Sequence, residues 1–309
     1  GRTAEILKAV EACGQKTLPA GVEIKDATEV VEIADDPAMA FKLKPNSSLT
    51  VGLNLLKDGA GDAFVSAGST GALLSGATLV VKRIRGIRRA AMGPQIPTAG
   101  GRAVLCDCGA NAECTPEYLL QFAYLGSYYA QKVMGIDKPR VGLLNIGAEE
   151  EKGDELRHET YALLKEAGDA GRIHFVGNVE ANDAMMGAVD VIVTDGFTGN
   201  VMLKTMEGVG KFLLKSLKAM FLSSTKTKLA AGLVKGDLGQ MKKLMDPSEV
   251  GGTPFLGIQK PVIKAHGSSD ARAIENAVLR AKEYAESGFI ADIQANIEHM
   301  RVQPAAEKN

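Results

Sequence analysis

Asp195-Gly196-Phe197-Thr198-Gly199-Asn200 directly follows an apolar run at 189–194 and directly precedes a helical pattern at 201–221. A buried strand, a sharp glycine-containing turn and a helix N-terminus therefore succeed one another along a short stretch. That arrangement sets free backbone N–H groups and the positive end of a helix at the carboxyl end of a strand, where an anion is favoured. Taken singly, such a turn is most often a plain connection, because glycine closes many of them. This chain uses the device repeatedly.

Working outward, runs rich in Val, Ile and Leu recur at 62–66, 103–107, 140–146, 172–176, 189–194 and 262–265. Helical patterns lie between them near 70–82, 116–134, 153–167, 201–221 and 270–287. Strands that are apolar throughout are covered on both faces, and strand–helix alternation gives parallel pairing. The fold expected is α/β: a doubly wound, mostly parallel sheet with helices on both faces. Ligands of such sheets gather at the carboxyl ends of the strands. Those ends carry the turns beginning at Ala67, Cys108, Gly147, Gly177, Asp195 and His266, and the expectation is that all six converge on one crevice.

Composition narrows the function. The chain has 309 residues, 45% of them hydrophobic and 24% charged, and reads as one α/β domain over 1–309. A net charge of −1 and the absence of Trp give no footing for nucleic acid. Cys13, Cys106, Cys108 and Cys114 lack the paired spacing of a zinc knuckle and fit a reducing cytosol. No apolar run approaches the about 20 residues that span a bilayer. The expectation is a cytoplasmic protein that can still touch a membrane surface.

Residues 222–250 differ from the rest. Leu229, Leu233, Val234, Leu238, Met241, Leu244 and Met245 recur at helical spacing beside Lys226, Lys228, Lys235, Lys242 and Lys243. This is a basic amphipathic excursion protruding from the sheet. Its apolar stripe suits a dimer interface, an anionic membrane surface or a plain core helix.

Several catalytic signatures are missing. Gly208-Val209-Gly210-Lys211 lacks nucleotide-loop spacing, and no G-x-G-x-x-G follows a strand. There is neither a G-x-S-x-G elbow nor H-E-x-x-H. No cofactor and no metal are expected. What remains is glycine turns, Asn amides, a few lysines and one strand-end histidine, groups that hold phosphate and stabilise oxyanions. Lys152 lies in Glu149-Glu150-Glu151-Lys152-Gly153-Asp154-Glu155, where position alone equally describes a solvated lysine. His266 follows Val262-Ile263-Lys264-Ala265; a strand-end histidine is more often structural, yet Gly267-Ser268-Ser269 behind it offers anion donors.

Six segments then match one family in order. They are Val65-Ser66-Ala67-Gly68-x-Thr70-Gly71-Ala72-Leu73, Asp107-x-Gly109-Ala110-Asn111, the stretch from Pro139 to Gly147, Gly177-Asn178-Val179-Glu180, Asp195 to Asn200, and Ile263 to Ser269. Glu29-Val30-Val31-Glu32 and Asn46-Ser47-Ser48 fit as well. The chain resembles the bacterial phosphate acyltransferases, which transfer a fatty acyl group from acyl carrier protein to inorganic phosphate. The same fold houses phosphate acetyltransferases and decarboxylating dehydrogenases of the isopropylmalate dehydrogenase type. Family members open with a strand ending in Asp-x-Met-Gly-Gly-Asp and a second strand ending in Val-Gly. Gly1 reads as that second end, so the expectation is a domain lacking the family's opening strand-helix-strand unit and one wall of the site. The family also favours Asn where Ser69 stands.

The resemblance implies that phosphate attacks an acyl thioester and releases a thiol. Phosphate is already anionic, and a thiol of pKa about 8.5 leaves with modest help, so positioning and charge shielding are the main demands. Lys152 and Asn200 are the expected catalytic pair: Lys152 neutralises phosphate or the oxyanion, and Asn200 donates to the thioester carbonyl. His266, Ser268 and Ser269 are the phosphate-binding candidates. Gly68, Ser69, Thr70, Asn111, Asn178, Asp195 and Thr198 line the crevice. Leu229, Leu233 and Val234 are the membrane or dimer contacts. The implied partners are acyl carrier protein, inorganic phosphate, a second copy of the chain, a membrane glycerol-3-phosphate acyltransferase and the inner face of the plasma membrane. An acyl-CoA-dependent acetyltransferase-like enzyme and a non-enzymatic acyl-carrier or lipid-binding protein are the alternatives.

Overall fold

A computed structural model describes residues 1–245 and 251–301. Its strands in chain order are β1 (Phe64–Ser66), β2 (Ala91–Met92), β3 (Gln95–Thr98), β4 (Gly101–Cys106), β5 (Arg140–Leu144), β6 (His174–Val179), β7 (Val191–Val193), β8 (Thr253–Leu256) and β9 (Val262–Lys264). The helices are α1 (Thr3–Ala12), α2 (Ala40–Leu43), α3 (Ser48–Lys57), α4 (Thr70–Gly76), α5 (Pro116–Lys132), α6 (Glu155–Asp169), α7 (Ala181–Met185), α8 (Gly196–Leu222), α9 (Thr225–Leu233), α10 (Lys235–Met245), α11 (Ala271–Glu286) and α12 (Phe289–Ala295).

The α/β class holds, with one revision. The strands form two sheets, in the orders β1-β9-β8-β2 and β3-β4-β7-β5-β6, where one continuous sheet was expected. The long apolar runs pair in parallel: β1 with β9, and β4, β7, β5 and β6 in sequence across the larger sheet. The split arises at the short strands β2, β3 and β8, which pair antiparallel and carry Pro97 and Pro254. Those strands are too short, and two of them too broken by Pro, for periodicity to reveal them.

Alternation along the larger sheet explains why both faces are apolar. Val104, Cys106, Val191 and Val193 face α5 and the main core, whereas Ala103, Leu105 and Ile192 face a second cluster that Met202, Leu203 and Met206 of α8 cover. Ala91, Leu256, Ile263 and Ala265 join the same main core as Val104 and Tyr129, so one core spans both sheets. The helices begin where acidic or hydroxyl side chains can cap them. Ser47, Asp154, Asp195 and Asp270 each accept the N–H three residues on, at the starts of α3, α6, α8 and α11.

Two helices depart from the periodicity reading. The pattern at 70–82 is α-helical only to Gly76 and continues as a π-helix over Ala77–Lys82. The pattern at 201–221 begins at Gly196, inside the quoted turn, because Asp195 is already the cap. Beyond Leu222 the chain turns at Ser223 and Ser224, and a Ser224–Thr227 capping box starts α9. The expected excursion is thus a bent arm, α8–α9–α10. Its last expected residues, 246–250, lie outside the described residues, as do the side chains at 242–245.

Candidate active site

The site is built where the β4 turn and the start of α8 interlock. Asp107, fully buried, accepts from the backbone N–H of Met92 at 2.8 Å and of Cys108 and Asn111 at 2.6 Å each, and from the Asn111 amide at 3.1 Å. Burial pushes its carboxyl above the ordinary carboxylate range, against the pull of those donors. Gly196 and Gly199 let α8 come this close. A Cβ on Gly199 would sit 2.0 Å from the Asp107 carbonyl oxygen, and one on Gly196 would sit 2.5 Å from the Asn111 carbonyl oxygen. Asn200, one residue on, lies over Gly109, whose φ of +103° suits glycine.

The helix start is less open than its sequence suggests. Gly196 N–H donates to the Asn111 carbonyl at 2.7 Å, Thr198 N–H to the Asp195 carboxylate at 2.8 Å, and Gly199 N–H to the Asp195 carbonyl at 3.0 Å. Asp195 is thus the anion already in place, and the expectation of free N–H groups there is corrected: those of Gly196, Thr198 and Gly199 are taken by partners within the fold. Burial opposes ionisation of Asp195, but the Thr198 N–H and hydroxyl and then the Arg157 guanidinium outweigh it and hold the carboxyl below its ordinary range.

Arg157 is the residue that the sequence reading missed. Its guanidinium donates to the Asp195 carboxylate, to the Thr198 hydroxyl at 3.3 Å and to Asp154 at 3.0 Å. Asp154 caps α6 and follows the loop bearing Lys152, while Thr198 shares a turn with Asn200. One side chain, 13% exposed, therefore ties together the loops that carry the two expected catalytic residues. Its only local signal is the Asp154-x-x-Arg157 spacing at a helix start.

The Lys152 loop is pinned at several points. The Asn145 amide donates to the Lys152 carbonyl at 2.9 Å, the Asn178 amide to the Glu149 carbonyl at 2.7 Å, and Lys152 N–H to the same carbonyl at 3.2 Å. The Lys152 stem lies along Gly147, where a Cβ would be 2.9 Å from its Cγ. The lysine is exposed and forms no ion pair among the described residues. Asn178 and Asn111 act here as braces. The Asn111 amide is spent on the Ala90 carbonyl at 2.8 Å and on Asp107, whereas Asn178 keeps a buried carbonyl oxygen without a partner.

The other candidates belong to the smaller sheet. β1 and β9 run in parallel, and the Ala265 N–H donates to the Ser66 carbonyl at 2.9 Å, so the turns at 67–70 and 266–269 stand side by side. His266 Nδ1 accepts from Ser268 N–H at 3.2 Å and lies 2.8 Å from its hydroxyl. With Nδ1 accepting, the neutral ring carries its proton on Nε2, which is then a donor. Ser69 caps α4, accepting from Ala72 N–H, and Gly68 N–H turns back to Ser66 Oγ at 3.2 Å. Thr70 opens α4 at the same turn. Beside them opens a cavity of about 480 Å³ walled by Val30, Val31, Leu49, Leu55 and Phe64. Lys264, also unforeseen, is half-buried, and burial lowers its ammonium pKa.

The turns thus fall in two groups, one per sheet. Sheet contact links them through β2: Met92 reaches Asp107, and the Ala90 carbonyl takes the Asn111 amide. The cysteines close to this junction are protonated, since burial pushes Cys108 and Cys114 up to about 12. They are not thiolate nucleophiles at neutral pH.

Known proteins resemble this chain along nearly its whole length. A family model described as "fatty acid synthesis protein" matches residues 1–292. A phosphate acyltransferase of Clostridium acetobutylicum is 48% identical over 279 residues, covering 90% of this chain and 83% of that one. A phosphate acyltransferase of Oceanobacillus iheyensis is 49% identical over 278 residues, covering 90% and 82%. Among solved structures, the EutD phosphotransacetylase from Staphylococcus aureus has a TM-score of 0.60 at 14% identity, covering 92% of this chain and 84% of that one. A phosphotransacetylase from Streptococcus pyogenes has the same TM-score and coverage at 19% identity. The solved structures share the fold, and the sequence relatives share the interlocked turns' host chain almost end to end, which settles the kinship: this chain belongs to the phosphate acyltransferase family.

Proposed function

We propose that this chain transfers a long-chain fatty acyl group, reversibly, from acyl carrier protein to inorganic phosphate, forming an acyl phosphate for phospholipid synthesis. The observation that carries the reading is the Arg157 brace, which joins the Lys152 loop through Asp154 to the Asn200 turn through Asp195 and Thr198. A site of this kind offers cations and amide donors on rigid loops, the equipment for bringing two anionic centres together.

The step balances without a protein nucleophile. A phosphate oxygen attacks the thioester carbonyl carbon, and the C=O electron pair moves to oxygen. As that pair returns, the C–S bond breaks, the thiolate leaves and takes a solvent proton, and an acyl–oxygen–phosphorus link remains. Asn200 donates its amide N–H to the carbonyl oxygen as charge develops there. Lys152 neutralises the phosphate. His266, through Nε2–H, and the hydroxyls of Ser268, Ser269 and Ser69 hold phosphate oxygens, with Gly68 and Thr70 shaping that turn. Asp195, Thr198, Asn111 and Asn178 fix the loops.

The arm is read as the contact with a second copy and with an anionic membrane. Leu229 is 70% and Leu233 89% exposed, Val234 is exposed too, and lysines flank all three. No helix among the described residues is long and apolar enough to cross a membrane; the attachment proposed at the inner face of the plasma membrane is peripheral, through the exposed stripe and its lysines. There the product would pass to a glycerol-3-phosphate acyltransferase. The deciding experiment is phosphate-dependent thiol release from acylated carrier protein and from acyl-CoA. Release from the carrier alone supports the reading; release from acyl-CoA alone favours an acetyltransferase-like enzyme, and release from neither favours a binding protein.

A further inference from the structure

Residues 82–89 read Lys-Arg-Ile-Arg-Gly-Ile-Arg-Arg: five cations and no acid in one loop of a chain with net charge −1. The loop leaves the π-helix Ala77–Lys82, and Lys82 is the non-glycine with positive φ, 75°, among the described residues. π-Turns and positive-φ side chains gather at functional places. Ile84 and Ile87 are buried to 1% and 4% exposure and anchor the loop from beneath. Above them three of the cations are held in place. Arg83 donates to the Arg88 carbonyl, Arg88 meets Glu117 at 3.2 Å, and the Arg89 guanidinium lies 5.6 Å over the Tyr118 ring. Arg83, Arg88, Arg89 and Tyr118 wall an open cavity of about 380 Å³. Only one of the five cations is neutralised by a carboxylate among the described residues.

The loop is also joined to the site. Arg89 precedes Ala90, whose carbonyl takes the Asn111 amide at 2.8 Å, and Met92 two residues later donates to Asp107 at 2.8 Å. We propose that this loop is where the acyl donor docks, with Lys82, Arg83, Arg85, Arg88 and Arg89 receiving an acidic surface of the carrier protein. The proposal rests on the carrier reading above and adds the docking face and the charge of what it meets. A bilayer is the poorer occupant, because both apolar side chains of the loop are buried, whereas the α8–α10 arm exposes its own. Nucleic acid is poorer still, because the Tyr118 face is already covered by Arg89 and no other aromatic lines the cavity.

The test compares wild type with R85E/R89E and R85K/R89K, after melting curves confirm that all three fold. At low salt, R85E/R89E should raise KM for the acylated carrier about tenfold or more while kcat and the KM for phosphate stay unchanged. Its carrier affinity, followed directly by titration, should fall in parallel and lose most of its salt dependence, and R85K/R89K should restore both. An unchanged KM for the carrier in R85E/R89E, with wild type active, overturns the docking face and leaves the proposed reaction standing. Loss of kcat rather than a raised KM overturns it in favour of a structural role for the loop. Loss of binding to anionic vesicles with carrier kinetics intact overturns it in favour of a membrane surface. A wild type that releases no thiol from the carrier defeats the donor reading itself, and the docking face with it.

Discussion

Arg157 joins two carboxylates and a hydroxyl that come from distant parts of the chain, and most of the site's geometry depends on it. Its removal by Arg157→Ala leaves Asp195, 8% exposed, without its cation while the Thr198 donors remain, a loss at the low end for a broken buried pair, about 3 kcal/mol. Denaturant unfolding should show that loss together with a fall in turnover; an unchanged midpoint would remove Arg157 from its bracing role. Asp195 also sets a pH dependence. Its carboxyl is held below the ordinary range in the folded state, so the stabilisation is complete above the unfolded value of about 3.9 and is lost as pH falls through the lower folded value. Acid unfolding curves of wild type and Asp195→Asn should therefore stand apart above the unfolded value of about 3.9 and draw together as pH falls through the lower folded value, and parallel curves throughout would contradict the assignment. Lys152→Ala and Asn200→Ala should each cut turnover about 10²–10³-fold with melting points unchanged, as removal of an oxyanion donor does. Near-normal turnover in both would sink the pair. Asp195 and Asn200 were legible because they stand in a glycine turn between a strand and a helix. Arg157 was not, because its partner is 38 residues away and only the folded sheet brings them together.

Elements show the same division between what is local and what is not. The parallel strands and the long helices follow from periodicity, and the helix starts from Ser and Asp caps that act within three residues. The division into two sheets was hidden, since β2, β3 and β8 owe their existence to partners rather than to their own pattern. The glycines of the Asp195–Asn200 turn were read as anion-binding, but their nearer cause is the close approach of α8 to the β4 turn. Gly199→Ala puts a methyl 2.0 Å from the Asp107 carbonyl oxygen, so it should lower the melting temperature and turnover together. Gly208→Ala, further along the same helix with nothing near its Cβ position, should be neutral or mildly stabilising. A tolerated Gly199→Ala would show that the interlock is looser than described. The arm makes a different prediction. Two Leu side chains contribute about 3–6 kcal/mol on burial and each nearby Lys about 1 kcal/mol at an anionic surface, which gives reversible, salt-sensitive attachment. Leu229→Glu with Leu233→Glu should release the protein from anionic vesicles and leave turnover in solution intact. Normal co-sedimentation would rule out the stripe as an anchor, and dissociation into monomers would assign it to the dimer alone.

At the scale of the whole molecule, a core shared by both sheets sets the two groups of turns in fixed relation, with β2 as the link from Ala90 and Met92 to Asn111 and Asp107. The α/β class was legible from the alternation of apolar strands with helices, and the family from six ordered motifs, because motif residues cluster at strand ends where ligands sit. The division of those ends between two sheets was not legible, since strand order is decided by non-local pairing. Acyl transfer from a carrier to phosphate is tested by single-turnover incubation of a chain-length-matched acylated carrier with the enzyme and ¹⁸O-labelled phosphate. Free carrier thiol and ¹⁸O-labelled acyl phosphate should form in equal amounts, with neither formed when phosphate is left out. Thiol released without phosphate, or released with free fatty acid in place of acyl phosphate, would contradict it.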